Sequence, residues 1–219
     1  MNYKLKQNEI ISGATHLLGA LLSIVALLAL LNVAIKYGNA LHVVSFAIFG
    51  ASLILLYLAS TLYHFMPLGS KSKPIFRRID HAMIFVLIAG TYTPVCLVPL
   101  WGAWGWSLLA VVWGLALAGV VLEALWVNIP GWASTLIYLG MGWLSVVMFP
   151  VMVDLIPDQA IWWLVAGGLF YSIGVIFYGL EKRLRPIKWF GMHEIFHLFV
   201  MAGSFSHFWM MWKYIAYLG

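Results

Sequence analysis

Charge is scarce in this chain. Asp, Glu, Lys and Arg together make up 9% of its 219 residues, against roughly a quarter in soluble domains. Cysteine is nearly absent as well. Cys96 stands alone, which excludes both an intrachain disulfide and a cysteine-built zinc site. No charged linker, low-complexity segment or internal repeat divides the sequence, and there is no stretch polar enough to form a separate soluble domain. What is present is apolar: 64% of residues are hydrophobic. A membrane-crossing helix needs about 20 such residues, so this length accommodates a succession of short-looped spans and little else.

The expected fold is an all-α, seven-transmembrane helix bundle forming one domain over 1–219, with spans at 12–35, 40–65, 80–100, 104–127, 132–153, 160–180 and 189–218. The first run is too long for the 7–15-residue core of a signal peptide and ends in Lys36, Tyr37 and Gly38 rather than a small-residue cleavage site, so it is read as a retained helix. Pro67 and Gly69 close the second span. Lys71, Lys73, Arg77 and Arg78 form a basic loop before the third, whose far half is kinked or ended by Pro94 and Pro99. Asn128 to Gly131 reads as a turn. Gly167, Gly168, Gly174 and Gly179 in the sixth span read as close-packing positions.

The net charge of +5 is better explained by membrane orientation than by nucleic acid. With the N-terminus in the cytoplasm, the inner side carries Lys4, Lys6, Lys71, Lys73, Arg77, Arg78, Lys182, Arg183, Arg185 and Lys188, and the outer side only Lys36 and Lys213. That is a positive-inside distribution. The C-terminus is then outside, membrane lipids are the expected partners, and the plasma (inner) membrane is the expected location.

Ionisable groups inside such spans are expensive and by default mark a site. His193 and His197, four residues apart, project from the same face of a helix. The inside-N topology brings His64, with Ser60 one turn away, to the same cytoplasmic layer as Asp80, His81, His16 and the two C-terminal histidines. His64, His193 and His197 therefore make a candidate zinc site. Three protein ligands with an open fourth position are the usual arrangement for catalytic zinc. The metal lowers the pKa of a bound water to about 7. Asp80 would then handle its proton, and Ser60 would hydrogen-bond the water or a developing oxyanion.

Several of these residues form a recognisable pattern. Ser60-Thr61-Leu62-Tyr63-His64, then Asp80, then His193-Glu194-Ile195-Phe196-His197 resemble the hemolysin III proteins of the progestin and adipoQ receptor family. So do Glu9, Ser12, Thr15, His16 and Gly19 at the entry to the first helix, and Ala89-Gly90-Thr91-Tyr92-Thr93-Pro94 in the third. The likeness spans essentially the whole chain in the same order. It implies seven helices, an inside N-terminus and a Zn2+ ion held by His64, His193 and His197, with Asp80 and Ser60 beside its water. It also implies a ceramidase-like activity, hydrolysis of an amide or ester bond in an acyl lipid, or a role in membrane homeostasis.

Two positions depart from the family. Asn is common where Ser12 stands, which argues against a polar role there. Gln is common in animal members where Glu194 stands, and here Glu194 completes a His-Glu-x-x-His spelling, the metalloprotease motif. A membrane-embedded protease of that type would need a further acidic ligand, usually in an Asp-Gly context, whereas His81 follows Asp80. The other competing reading is a pore-forming, hemolytic or receptor-like membrane protein with a structural zinc. Against a pore, the outer halves of the spans offer few polar residues.

The remaining histidines carry plainer expectations. His42 and His81 read as hydrogen-bonded core residues and His207 as a packing or cavity-lining residue. His16 supports either the metal site or a helix interface. Glu123 either lines the cavity or reaches headgroup water.

Overall fold

The computed structural model describes residues 7–125, 130–181, 183–184 and 190–218, the side chains of Gln7 and Asn8 excepted. The expectations resting on Lys4, Lys6, Lys182, Arg185, Lys188, Trp189 and the turn residues Asn128 and Ile129 lie outside those residues, as does the end of the span expected to reach 127. The described chain is helical. α1 (Gln7–Tyr37), α2 (Ala40–Phe65), α3 (Lys73–Leu97) and α4 (Ala103–Leu125) are followed by α5 (Gly131–Trp143), α6 (Ser145–Met152), α7 (Asp158–Leu180) and α8 (Met192–Lys213). Among the described residues, six segments are long and apolar enough to cross a membrane, α5 and α6 together counting as one. α8 is not among the six. Its 22 residues include His193, Glu194, His197, His207 and Lys213.

Consecutive helices pack side by side from α1 to α4 and again from α7 to α8, and α8 closes against α1. The core runs through Leu30, Phe46, Phe49, Tyr57, Phe85, Val112, Met210 and Met211, each at most 2% exposed. The outward faces are apolar too: Leu18, Leu21, Leu22, Val25 and Leu28 on α1, Leu117 and Val121 on α4, and Trp162 and Ile176 on α7 are exposed. A surface of that kind suits lipid and not water. α5 touches α3 and α7 only lightly, which leaves room between these helices and α8.

Local chemistry sets the helix ends. Asn39 caps α2, its side chain accepting from the N–H groups of Leu41 and His42, and His42 is, as expected, a buried residue with a hydrogen-bond partner, its Nδ1 accepting from the Asn39 N–H at 3.2 Å. Gly69 takes φ 84° in the turn after α2, a conformation that suits glycine. α3 starts at Lys73, not at Asp80, because Pro74 in the first turn is preorganised for a helix start. Lys73, Arg77 and Arg78 are therefore helical rather than part of a loop, and Asp80 lies well inside α3. Pro94 is absorbed within α3.

The fifth span is interrupted at Leu144, not at Pro150, which sits inside α6. The Tyr92 hydroxyl of α3 enters the break. It accepts from the Ser145 N–H at 2.8 Å and lies 2.9 and 2.7 Å from the carbonyl oxygens of Met141 and Gly142. A side chain inserted into the i→i−4 ladder is a known cause of such breaks.

Candidate metal centre and cavity

Four helices deliver the polar layer. The closeness of α1 to α2 and of α1 to α8 brings Glu9, Ser12, Thr15 and His16 against His64 of α2 and against His193, Glu194 and His197 of α8. His64, His193 and His197 each offer one ligand atom, all within 4.8 Å of one another, so that the group could hold a metal ion. His64 and His197 are buried and His193 is partly so.

Each of the three rings is held by an oxygen on its Nδ1 edge. His64 Nδ1 lies 3.0 Å from Glu9 Oε2, His193 Nδ1 lies 3.1 Å from Glu181 Oε2, and His197 Nδ1 lies 3.3 Å from the Ser12 carbonyl. An ionised carboxylate and a carbonyl only accept, which puts the proton on Nδ1 and leaves Nε2 with a lone pair. His64 Nε2 and His193 Nε2 then face each other at 3.3 Å. Two lone pairs at that distance repel unless a proton or a cation lies between them. Metal-binding histidines are oriented by oxygen acceptors on their far nitrogen in this same way, so the donor set fits a divalent ion that takes imidazole.

Sequence reasoning missed these supporting oxygens. Glu9 enters the sequence reading only through the motif at the start of the first helix, yet it also pairs with Lys73 Nζ at 3.2 Å, and Lys73 donates in turn to the Met66 carbonyl at 3.0 Å. Ser12, set aside because relatives carry Asn, contributes its carbonyl to His197 and its hydroxyl to Glu194 Oε1 at 2.8 Å. Glu181 belongs to the segment read only as a basic cluster. The signal available in advance was depth: Glu9 and Glu181 end helices on the side where the histidines gather.

Glu194 turns away from the metal layer. Its Oε2 accepts from the Gly191 N–H at 2.6 Å and its Oε1 from Ser12. The carboxylate caps its own helix and pins it to α1. Both oxygens are occupied and the side chain is 1% exposed, so it is not free to act as the base of a metalloprotease.

Ser60 is buried, and Asp80 lies near it across the α2–α3 interface. Both line a cavity of about 460 Å³ that also touches His193, His197 and His16. The cavity continues between α3, α5, α6, α7 and α8 along Leu87, Val95, Leu139, Phe149, Leu164 and Val200. His16 stacks flat on His197, ring centroids 3.6 Å apart and planes 9° apart. Neither of its nitrogens has a partner among the described residues. His81, Glu123 and His207 line the same cavity, His207 farther along α8 with its Nδ1 3.0 Å from the Gly203 carbonyl.

A bundle with apolar outer faces defines an integral membrane protein, and its buried imidazole cluster beside a cavity could hold a metal ion. Comparison with known proteins agrees. Residues 4–208 match the family described as Haemolysin-III related. The chain is 42% identical to Hemolysin-3 of Bacillus cereus over 209 residues, covering 95% of this chain and 92% of that protein. It is 44% identical to a Hemolysin-3 homolog of Bacillus subtilis (strain 168) over 202 residues, 92% of each. A more distant likeness, 27% over 179 residues, joins it to the human monocyte to macrophage differentiation factor, with 77% and 69% coverage. The chain belongs to the hemolysin III family, within the wider progestin and adipoQ receptor family.

Proposed function

We propose that this protein is a zinc-dependent hydrolase of membrane acyl lipids, with seven spans, an inside N-terminus and a cytoplasmic-side site in the plasma membrane. The observation that carries the reading is the pair of Nε2 atoms of His64 and His193 facing each other at 3.3 Å, beside a cavity that Asp80 and Ser60 also line. His64, His193 and His197 would hold the ion. When bound there, zinc would supply a Lewis acid that activates water near neutral pH.

The chain's own residues do the rest. Asp80 takes the proton released as water adds to the acyl carbon, and returns it to the nitrogen or oxygen that leaves. The products are a fatty acid and an amine or alcohol. Ser60 donates its one O–H to the oxygen on which charge develops, and its own oxygen accepts from Asp80 once that carboxyl has taken the proton. The apolar stretch of the cavity takes the acyl chain and keeps bulk water from it. α8 is the seventh span in this reading; its polar residues face the bundle and the cavity, where a membrane protein tolerates them.

Purified protein incubated with N-acyl and O-acyl lipids should contain one zinc per chain and release fatty acid. Asp80→Asn should retain the metal and lose release. Equal release by both proteins would overturn the mechanism.

The bacterial relatives' name favours a second reading, a hemolytic or receptor-like protein in which the metal is structural. It gains physical support from the Lys73–Glu9–His64 chain, which ties α3, α1 and α2 together at the metal layer. Stoichiometric zinc without turnover, together with conductance in reconstituted bilayers, would select it.

A further inference from the structure

Asp80 and His81 are neighbours on α3, about 100° apart around the helix. One approaches Ser60 and the metal layer. The other approaches a separate polar cluster. His81 Nδ1 lies 3.9 Å from Glu123 Oε2 of α4, and the Glu123 side chain is only 7% exposed against 23% for His81. Glu123 Oε1 accepts from Ser134 Oγ of α5 at 2.9 Å, with the Tyr138 hydroxyl at 3.5 Å.

A carboxylate in a membrane-crossing helix needs a reason. Joining α4 to α5 accounts for Oε1 alone, since Oε2 is the oxygen that faces His81. Ser134 already links α5 to Glu123, and the Tyr138 hydroxyl already links α5 to α3 by donating to the His81 carbonyl at 3.2 Å. Neither tie uses the His81 imidazole. At 3.9 Å the carboxylate acts on that ring mainly through its field. It favours the proton on Nδ1, the nitrogen that faces it. Nε2, on the opposite edge of a ring that lines the cavity, is then an acceptor.

We propose that His81, positioned by Glu123, forms a headgroup subsite that accepts a hydrogen bond through Nε2 from an O–H or N–H on the polar end of a lipid in the cavity. The assignment rests on the lipid reading above. It adds a selectivity which that reading does not contain. A headgroup bearing a hydrogen-bond donor is held at His81, while its acyl linkage lies towards Asp80. A capped headgroup of the same size offers Nε2 nothing to accept. Sites built to hydrogen-bond a hydroxyl discriminate against analogues that lack it.

The test compares N-oleoylethanolamine with its O-methyl ether on the full-length, metal-loaded protein in detergent. Binding is followed by tryptophan fluorescence, since Trp143 also lines the cavity, and fatty-acid release is measured in parallel. Wild type should bind the free hydroxyl about tenfold more tightly than the ether, the loss of one well-placed hydrogen bond. His81→Phe should bind both probes like the ether. His81→Gln, which retains a carbonyl acceptor, should restore part of the preference, and Glu123→Gln should reduce it. All three variants should keep wild-type metal content, and the two His81 variants the wild-type melting temperature. Equal binding of the two probes by wild type, or a preference that survives His81→Phe, overturns the subsite even if fatty acid is released. A preference that His81→Phe removes, without release of fatty acid by wild type, upholds the subsite and overturns the hydrolase reading alone.

Discussion

His197 and His207 lie on the same helix, and their surroundings set a candidate metal ligand apart from a packing residue. His207 Nδ1 is satisfied within α8 by the carbonyl of Gly203, one turn back. Its ring packs into the space left by Gly167 on α7, where an added Cβ would collide with it. His197 Nδ1 finds its acceptor on a different helix, the Ser12 carbonyl of α1, and its ring meets those of His64, His193 and His16. A histidine satisfied by its own helix needs nothing further from that nitrogen. One oriented from outside, with its free nitrogen among other imidazoles, has been arranged to serve something.

The largest effect should come from breaking the ligand half of this pair. His197→Ala removes one of three imidazoles and should abolish stoichiometric metal in elemental analysis of the purified protein. His207→Gln should leave the metal count at the wild-type value. A stoichiometric ion retained in His197→Ala would show that the metal is held elsewhere. Glu9→Ala should have the next largest effect, because it removes the acceptor that orients His64 and also frees Lys73. Loss of such an orienting partner typically lowers metal affinity 10–100-fold, read by competition with a chromophoric chelator.

The core half of the comparison predicts a change in stability without a change in metal. Gly167→Ala forces the His207 ring out of its place, and overpacking of this kind costs about 1–3 kcal/mol. The melting temperature should fall while the metal count stays the same. Glu194→Gln should behave similarly through a different contact. The amide keeps one acceptor, loses the other and brings in a donor where Ser12 or Gly191 already donates, so about 1–3 kcal/mol is lost for a buried polar group left badly paired. Fatty-acid release that survives Glu194→Gln would also separate this chain from proteases that share the His-Glu-x-x-His spelling, in which the Glu is the general base.

Much of the fold was legible because a bilayer imposes a single demand, long apolar helices, and the sequence states it in nearly every segment. The errors fall where side chains override that demand. The break at Leu144 is made by Tyr92, a residue about fifty positions away that local reading cannot connect to it. The early start of α3 follows from Pro74, hidden among basic residues that look like a loop. The trio of histidines was legible from spacing and depth, since both survive without knowledge of side-chain contacts. Their oxygen partners were not. Ser12 serves through its main-chain carbonyl, which any residue supplies, so no side-chain pattern could reveal it. Glu9 and Glu181 are ordinary helix-end acids until the helices are brought together.

Those two acids allow the smallest and sharpest prediction. Both hold a histidine Nδ1 at nearly the same distance, 3.0 Å for Glu9 and 3.1 Å for Glu181. Their settings differ. Glu9 is 18% exposed beside a His64 ring that is 5% exposed, whereas Glu181 is 45% exposed beside a His193 ring at 21%. Water screens the outer pair and can itself accept from His193 once the carboxylate is gone. No such replacement reaches His64. Glu181→Ala should therefore weaken metal affinity by only a few-fold, less than Glu9→Ala, in the same chelator competition. A loss at Glu181 equal to that at Glu9 would mean that distance to the imidazole, and not burial, governs how strongly an orienting acid supports the site.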